Sequence, residues 1–550
     1  MAKRSTMFSL ILSLWVCSLL YFNPRLLALL IGSENLAAKL CLFLFVLFLN
    51  LFWFYAFFHI VIAGFSYVRP RSHCSIPAPT KQLARSPKVA ILYATCNDFQ
   101  KEAVFSCLNQ DYSAYHLFIL DDSSINDYQE QINGIANRYP HKVTVLRRDI
   151  RAGFKAGNLN HALRNIDSDY EYFSVSDADT VLTPDYLSSL LTHIAAPNIA
   201  FAQSNQKTNP NQKTIFSQFM GINTDLHFQH YASTKNRFGF VMWYGHGALM
   251  RRDIWEKVGG FPEVVSEDLA YSIRIREAGY EGVFVEDVFC YEDFPPTYQQ
   301  YRKRNEKWIR GTAQCLLKFY PSFIRAKHIP WFEKLDVLIS GLSLLLDFPF
   351  VLLLLLVGIV LPLFYVHFQF SGPMLRMPIV YEKSFLGMAA RTQSNIFFSW
   401  DVFLLMLATI FAPLLSAIAD YFWRPKQMVR YLASYIFCFF SLLVTSTIHL
   451  LSFLFTGKAI FPVTGEKLPL LPCANLPWIS GLEIILGVCF WIIGITTQNI
   501  WFLPVSVALI SGPCLVKWSL NRKFIRYVIF APFVMTLGII YLIGRNLPGP

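Results

Sequence analysis

Two hydrophobic patterns divide this chain. Near its start and again through its last two hundred or so residues, apolar positions run on almost unbroken. Examples are MFSLILSLWVCSLLYF and AAKLCLFLFVLFLNLFWFYAFFHIVIAGF. A bilayer crossing takes about 20 such residues, so these runs predict membrane helices. Between them, short apolar runs end in polar clusters: KVAILYATCND, HLFILDDSS, HKVTVLRRD and YEYFSVSDAD. Helical stretches such as AGNLNHALRNI separate them. Strands alternating with helices predict an α/β domain with a mostly parallel sheet. The expected division is 1–70, a membrane region with two spans; 71–330, a globular domain closing on interfacial helices; and 331–550, a second membrane region.

The first apolar run has the length of a signal peptide. It lacks a small-residue cleavage site and a second run follows at once, so a retained span is expected. YPSFIRAKHIPWFEKLDVL is basic, aromatic and amphipathic, which predicts a helix lying in the interface. Later spans are expected near 337–366, 396–419, 479–496, 500–517 and 526–544. The stretch 431–456 is apolar enough to cross as well. If it crosses, the basic loop GKAIFPVTGEK falls outside; if it does not, that loop and KWSLNRKFIR stay inside, as basic loops tend to. The non-spanning arrangement is therefore expected.

Composition sharpens this picture. The 550 residues are 54% hydrophobic and only 15% charged, with 50 Phe, against about 25% charge in soluble domains. The net charge of +12 is carried partly by basic flanks such as MAKR and YVRPR. These flanks place the globular domain on the cytoplasmic side. No basic helix or aromatic-basic module points to nucleic acid. The 11 cysteines are scattered, which argues against a zinc or disulfide framework.

The chemistry gathers at predicted strand ends. Asp177 and Asp179 close an apolar run with one residue between them, so both carboxylates fall on one face of a strand. Such a pair suits Mg²⁺ or Mn²⁺ and, through the ion, a phosphate. Asp98 and Asp122 end two other strands, and Lys155 stands in a glycine-broken loop before a helix. Glu267 and Asp268 open an amphipathic helix, where acids ordinarily serve as caps.

Taken in order, TCND at 95–98, LDDSS at 120–124, KAGNLNHAL at 155–163, DAD at 177–179, GHGALMRRDIWEKVGGF at 245–261 and SED at 266–268 form a set. It resembles the inverting nucleotide-sugar glycosyltransferases that include cellulose, chitin and hyaluronan synthases. KAGNLNHAL and DAD are nearest to the bacterial cellulose synthase wording. The resemblance implies a GT-A-like α/β domain between N- and C-terminal membrane helices. It puts Asp98 beside the nucleotide, Asp122 on the uracil or ribose side, Lys155 on the diphosphate, and Asp177 and Asp179 on the nucleotide sugar and its metal. Asp268 matches the general base, with Glu267 beside it in the catalytic motif, and Gly247 falls in an acceptor-binding motif. The family's Gln-x-x-Arg-Trp is matched by Arg304 to Trp308, with Arg304 for Gln and Lys307 for Arg. Phe461, Val463, Thr464 and Lys467 resemble a gating loop, expected over 457–470, with one extra residue before the lysine.

What this implies is a processive synthase in the inner membrane. It would take a UDP-sugar, first UDP-glucose, extend a β-linked polysaccharide on the cytoplasmic face and export it among membrane lipids, with room for a periplasmic partner. Two rivals are carried: single-sugar transfer to a lipid, motivated by the altered Arg304/Lys307 motif, and a transport or receptor protein with a degenerate transferase domain.

Overall fold

The computed structural model describes residues 2–32, 35–68, 86–212, 214–363, 367–368, 376–382, 391–397, 405, 408–459, 477–496, 502–518 and 525–545. The expected gating-loop residues Phe461, Val463, Thr464 and Lys467 lie outside them.

An eight-stranded sheet forms the middle of the chain. Its strands are β1 (Lys88–Thr95), β2 (Tyr115–Asp121), β3 (Val143–Leu146), β4 (Tyr170–Asp177), β5 (Val181–Leu182), β6 (Ile199–Thr208), β7 (Ala248–Arg251) and β8 (Glu281–Glu292). The order is β3-β2-β1-β4-β7-β6-β8-β5. The four strands legible in the sequence are β1 to β4, and they pair in parallel. Their near-continuous apolar runs reflect burial on both faces. One face is covered by helices that include Lys101–Leu108 and Tyr186–His193. The other is covered by helix Phe154–Asn165 and a cluster around Trp243, Phe261 and Tyr271. Each large buried side chain contributes about 2–3 kcal/mol.

The other half of the sheet was not legible. β7 is antiparallel to both β4 and β6, and β5 to β8. β7 has only four residues, and the inner part of β6 buries Gln203, Ser204, Asn205 and Gln206, so neither carries an apolar alternation. The register brings Thr95 opposite Asp121 and Ala94 opposite Asp177. Strand ends bearing acids therefore share one edge, where open α/β sheets bind ligands.

Among the described residues, four helices are long and apolar enough to cross a membrane: Arg4–Pro24, Leu36–Tyr67, Pro425–Thr456 and Trp478–Thr496. Phe502–Val516 and Ile525–Ile539 are shorter apolar helices. One expected span differs. The 337–366 span is broken: helix Trp331–Ser343 meets Asp347–Val360 at a 56° bend. Its first half is held by ion pairs, Arg276 Nε to Glu333 Oε2 at 2.6 Å and Lys235 Nζ to Asp336 Oδ1 at 3.0 Å. These tie it to the sheet domain. Within the expected 396–419 span, residues 398–404 and 406–407 lie outside the described residues, and Ala408–Tyr421 is a shorter apolar helix.

The stretch 431–456 belongs to one continuous helix, Pro425–Thr456. That helix touches the sheet domain along its length. Ser434 Oγ donates to Phe219 O (3.2 Å), Arg302 donates to Thr445 Oγ1 (2.8 Å), and Asn305 donates to Ser446 Oγ (2.9 Å). At its end Arg310 donates to Lys458 O (3.3 Å). The segment that follows therefore starts against helix Tyr298–Lys318.

Candidate active site

The carboxyl edge of the sheet collects the candidate residues. At the end of β1, Asp98 Oδ1 accepts from Cys96 N (2.7 Å) and Thr95 Oγ1 (2.8 Å), a local turn that fixes its carboxylate. Burial raises its pKa to about 6, against those bonds. Asp122 is engaged by Arg148, whose Nε and Nη2 donate to its two oxygens at 2.9 and 2.7 Å. This bidentate pair is preorganised. A role for Asp122 at the nucleotide would therefore be shared with Arg148, which the sequence did not single out.

Lys155 enters from helix Phe154–Asn165, whose register is pinned by the asparagines of its motif. Asn158 Nδ2 donates to Leu120 O (3.2 Å), and Asn160 both donates to Phe261 O and accepts from Phe261 N at 2.9 Å. Lys155 Nζ forms an ion pair with Asp177 Oδ1 and donates to Gly245 O at 2.9 Å. Gly245 sits at φ +88, where a Cβ is strained. A Cβ there would stand 3.7 Å from Asp268 Oδ2 and 4.0 Å from Lys155 Nζ. The base candidate and the diphosphate candidate thus flank one bare backbone position.

Glu267 and Asp268 begin helix Glu267–Glu277, yet neither acts as a simple cap there. Ser266 makes no side-chain cap, and Asp268 Oδ1 accepts from the adjacent Leu269 N at 2.8 Å. Burial raises both carboxyl pKa values, Glu267 to about 7, against the positive charges of Lys155 and Lys307. A carboxyl held near neutrality is what a general base uses. Asp177 moves the other way. Burial opposes ionisation, but Lys155 and His246 outweigh it and lower its pKa.

His246 and Glu292 complete the edge and were not singled out by the sequence. His246 Nε2 lies 3.1 Å from Glu292 Oε2, and its Nδ1 lies 3.0 Å from Thr180 Oγ1. The polar residues of β6 hold its backbone: Gln203 and Gln206 each donate to His246 O at 3.1 Å. The available signal was GHG itself, a polar residue between two glycines that both adopt positive φ.

Arg304, Lys307 and Trp308 lie on helix Tyr298–Lys318. The Arg304 guanidinium stacks 4.3 Å from the Phe294 ring and 4.7 Å from the Trp308 ring. Lys307 brings its charge to bear on Asp177, Glu267 and Asp268. Trp308 is 37% exposed. Gly247, at φ +66, leaves no room for a side chain: a Cβ would stand 2.6 Å from Cys290 Sγ. It acts as a spacer for the turn.

Among the described residues, no three His, Cys, Asp or Glu side chains form a metal cage. Asp179 nonetheless fits a hard cation. Burial, Asp177 and Glu292 together raise its pKa to about 7, so a bound dication would relieve a cost already present. Mg²⁺ and Mn²⁺ commonly take few protein carboxylates and complete their shell with water and phosphate oxygens.

The profile of "Glycosyl transferase family group 2" matches residues 172–465. A curated relative, probable glucomannan 4-beta-mannosyltransferase 11 of Arabidopsis thaliana, is 27% identical over 229 residues, 40% of this chain and 52% of the relative. The chain thus spans about half the length of that relative. Among solved structures, a mannosyltransferase from Pyrobaculum calidifontis in complex with GDP-Man and Mn²⁺ is similar at TM-score 0.45 and 19% identity, covering 57% of this chain and 85% of its own. S. aureus TarS 1-349 follows at TM-score 0.29 and 15% identity, covering 48% and 80%. With a profile match over more than half its length, the chain, which carries an eight-stranded mixed sheet and apolar helices towards both ends, belongs to glycosyl transferase family group 2.

Proposed function

We propose that this glycosyltransferase moves a sugar from a nucleoside diphosphate donor to a hydroxyl acceptor with inversion, at the membrane surface. The observation that carries this is the meeting of Lys155, Asp177 and Asp268 around Gly245, from three separate segments. Asp268 takes the proton from the acceptor hydroxyl as that oxygen attacks the anomeric carbon. The bond to the donor diphosphate breaks, and Lys155 offsets the charge left on it. A divalent ion at Asp179, when bound, adds electrostatic stabilisation of that diphosphate. One displacement turns an α-linked donor into a β-linkage.

The donor reading is UDP-sugar, first UDP-glucose, on the KAGNLNHAL and DAD wording. A second donor class, a nucleotide-activated mannose, is favoured by the relative named as a glucomannan mannosyltransferase. The product reading is a growing β-linked polysaccharide passed out through the membrane helices. Helix Pro425–Thr456 supports it: it is long and apolar enough to cross a membrane and is tied to the sheet domain through Phe219, Arg302, Asn305 and Arg310. The basic flanks favour a cytoplasmic catalytic domain and a multi-pass inner-membrane address.

The test is nucleotide release by the full chain in detergent with Mg²⁺ or Mn²⁺. It would be run over UDP-glucose, UDP-N-acetylglucosamine and GDP-mannose, with sizing of the product. Turnover with one donor and a long polymer supports the reading. Single-sugar products on a lipid overturn processivity. Folded protein that binds no nucleotide sugar overturns the enzyme.

A further inference from the structure

A second site lies away from the catalytic edge. A cavity of about 640 Å³ opens where helix Ile215–Met220, the start of Pro425–Thr456 and the start of Ile525–Arg545 meet. Its floor includes Phe219, Val429 and Phe530. Phe219 and Phe530 pack edge to face at 5.9 Å. Lys426, Arg430 and Arg526 line it too. Among the described residues, none of these three forms an ion pair with an acid. Arg430 instead lies over the Phe219 ring at 4.5 Å.

Lys426 and Arg526 are exposed and Arg430 is half-buried, so all three charges can face an anion laid against the apolar floor. The surroundings name the occupant. Phe422 and Trp423, 58% and 87% exposed, precede Lys426 by a few residues. Exposed aromatics beside basic residues mark the headgroup level of a bilayer. Of the helices at the cavity, Pro425–Thr456 is long and apolar enough to cross a membrane, and Ile525–Ile539 is a shorter apolar helix.

We propose that this cavity holds the headgroup of an anionic phospholipid. Its phosphate sits among Lys426, Arg430 and Arg526, and the glycerol end of its chains lies on Phe219, Val429 and Phe530. Charge complementarity excludes a zwitterionic lipid as the preferred occupant, because its cationic headgroup would face three more cations. The lipid would join the sheet domain, through Phe219, to two membrane helices. This site does not depend on the catalytic reading.

The test uses the full chain in phosphatidylcholine nanodiscs, with a short-chain fluorescent phosphatidylglycerol as probe and phosphatidylcholine of equal chain length as competitor. Arg430→Ala with Arg526→Ala is the disrupting variant. Arg430→Lys with Arg526→Lys keeps the charge, and Arg325→Ala is an unrelated basic control. The expected result is phosphatidylglycerol binding about tenfold or more weaker in the alanine pair, within about threefold in the lysine pair, and unchanged in Arg325→Ala. Equal competition by phosphatidylcholine overturns the proposal. So does equal competition by inorganic phosphate, which would make this a free-anion site. Unchanged binding in the alanine pair overturns it as well. A lysine pair that retains binding guards against misfolding of the alanine pair, since both variants replace the same side chains.

Discussion

His246 bridges two strands at the catalytic edge: its Nε2 is 3.1 Å from Glu292 Oε2, at the end of β8, while its Nδ1 is 3.0 Å from Thr180 Oγ1. Thr180 Oγ1 in turn accepts from Asp177 N at 3.2 Å. The imidazole therefore buttresses the DAD turn through Thr180. Burial opposes its charge, but hydrogen bonds donated to Cys290 and Glu292 and the charges of Asp177 and Glu292 raise its pKa well above 6.5. A histidine raised on folding adds stability that is fully present below pH 6.5 and is lost as pH rises through the raised value. His246→Ala should lower kcat about 10- to 100-fold, with a smaller effect on donor affinity. The stability difference from the parent should shrink at high pH. Thermal melts across pH 6 to 9 with steady-state kinetics check both; a variant with parental kcat would remove His246 from the site.

Asp268→Asn should keep donor binding within about threefold and cut turnover by about 10²–10⁴-fold, the usual contribution of a positioned base. The parental rate should rise with pH above the ordinary carboxylate range, because burial holds Asp268 high. Isothermal titration with the donor beside a pH–rate profile reads both effects. Equal loss of binding and turnover would recast Asp268 as a binding residue.

Asp179→Asn should inactivate the protein yet stabilise it. A carboxyl raised to about 7 binds its proton more tightly in the folded state, so stability falls as pH rises from about 4 to 7. Asn removes that cost at pH 8. Asp179 is half-buried and partly screened, so the gain is about 1 kcal/mol rather than the full value of its shift. Denaturant melts at pH 5 and pH 8 should show a larger gain at the higher pH. Added Mn²⁺ should stabilise the parent more than the variant.

Gly247→Ala should cost about 2–3 kcal/mol. The φ of +66 strains any side chain, and its Cβ would stand 2.6 Å from buried Cys290 Sγ. Cys290→Ala should relieve the clash but not the strain, so the double variant should be less destabilised than the sum of the two. Strict additivity in a double-mutant cycle would refute the contact.

Local signals carried much of this protein. β1 to β4 were legible because burial on both faces writes continuous apolar runs. The acids ending them were legible because a period of two puts Asp177 and Asp179 on one face. The KAGN motif was legible too, and its asparagines clamp helix Phe154–Asn165 to β2 and Phe261. The length and polarity of the membrane helices followed from composition. Tertiary structure alone decided the rest. The antiparallel insertion of β7 depends on four residues whose pairing partners lie far apart in sequence. Helix Trp331–Ser343 reads as the start of a span, but Glu333 and Asp336 find arginine and lysine partners in the sheet domain and hold it there. The bond of His246 to Glu292 joins residues 46 apart, and Asp122 is shared with Arg148 across 26. The burial that raises Asp179 and Glu267 exists only after these segments converge. Periodicity reports what each segment buries; it does not report which distant charge arrives beside it.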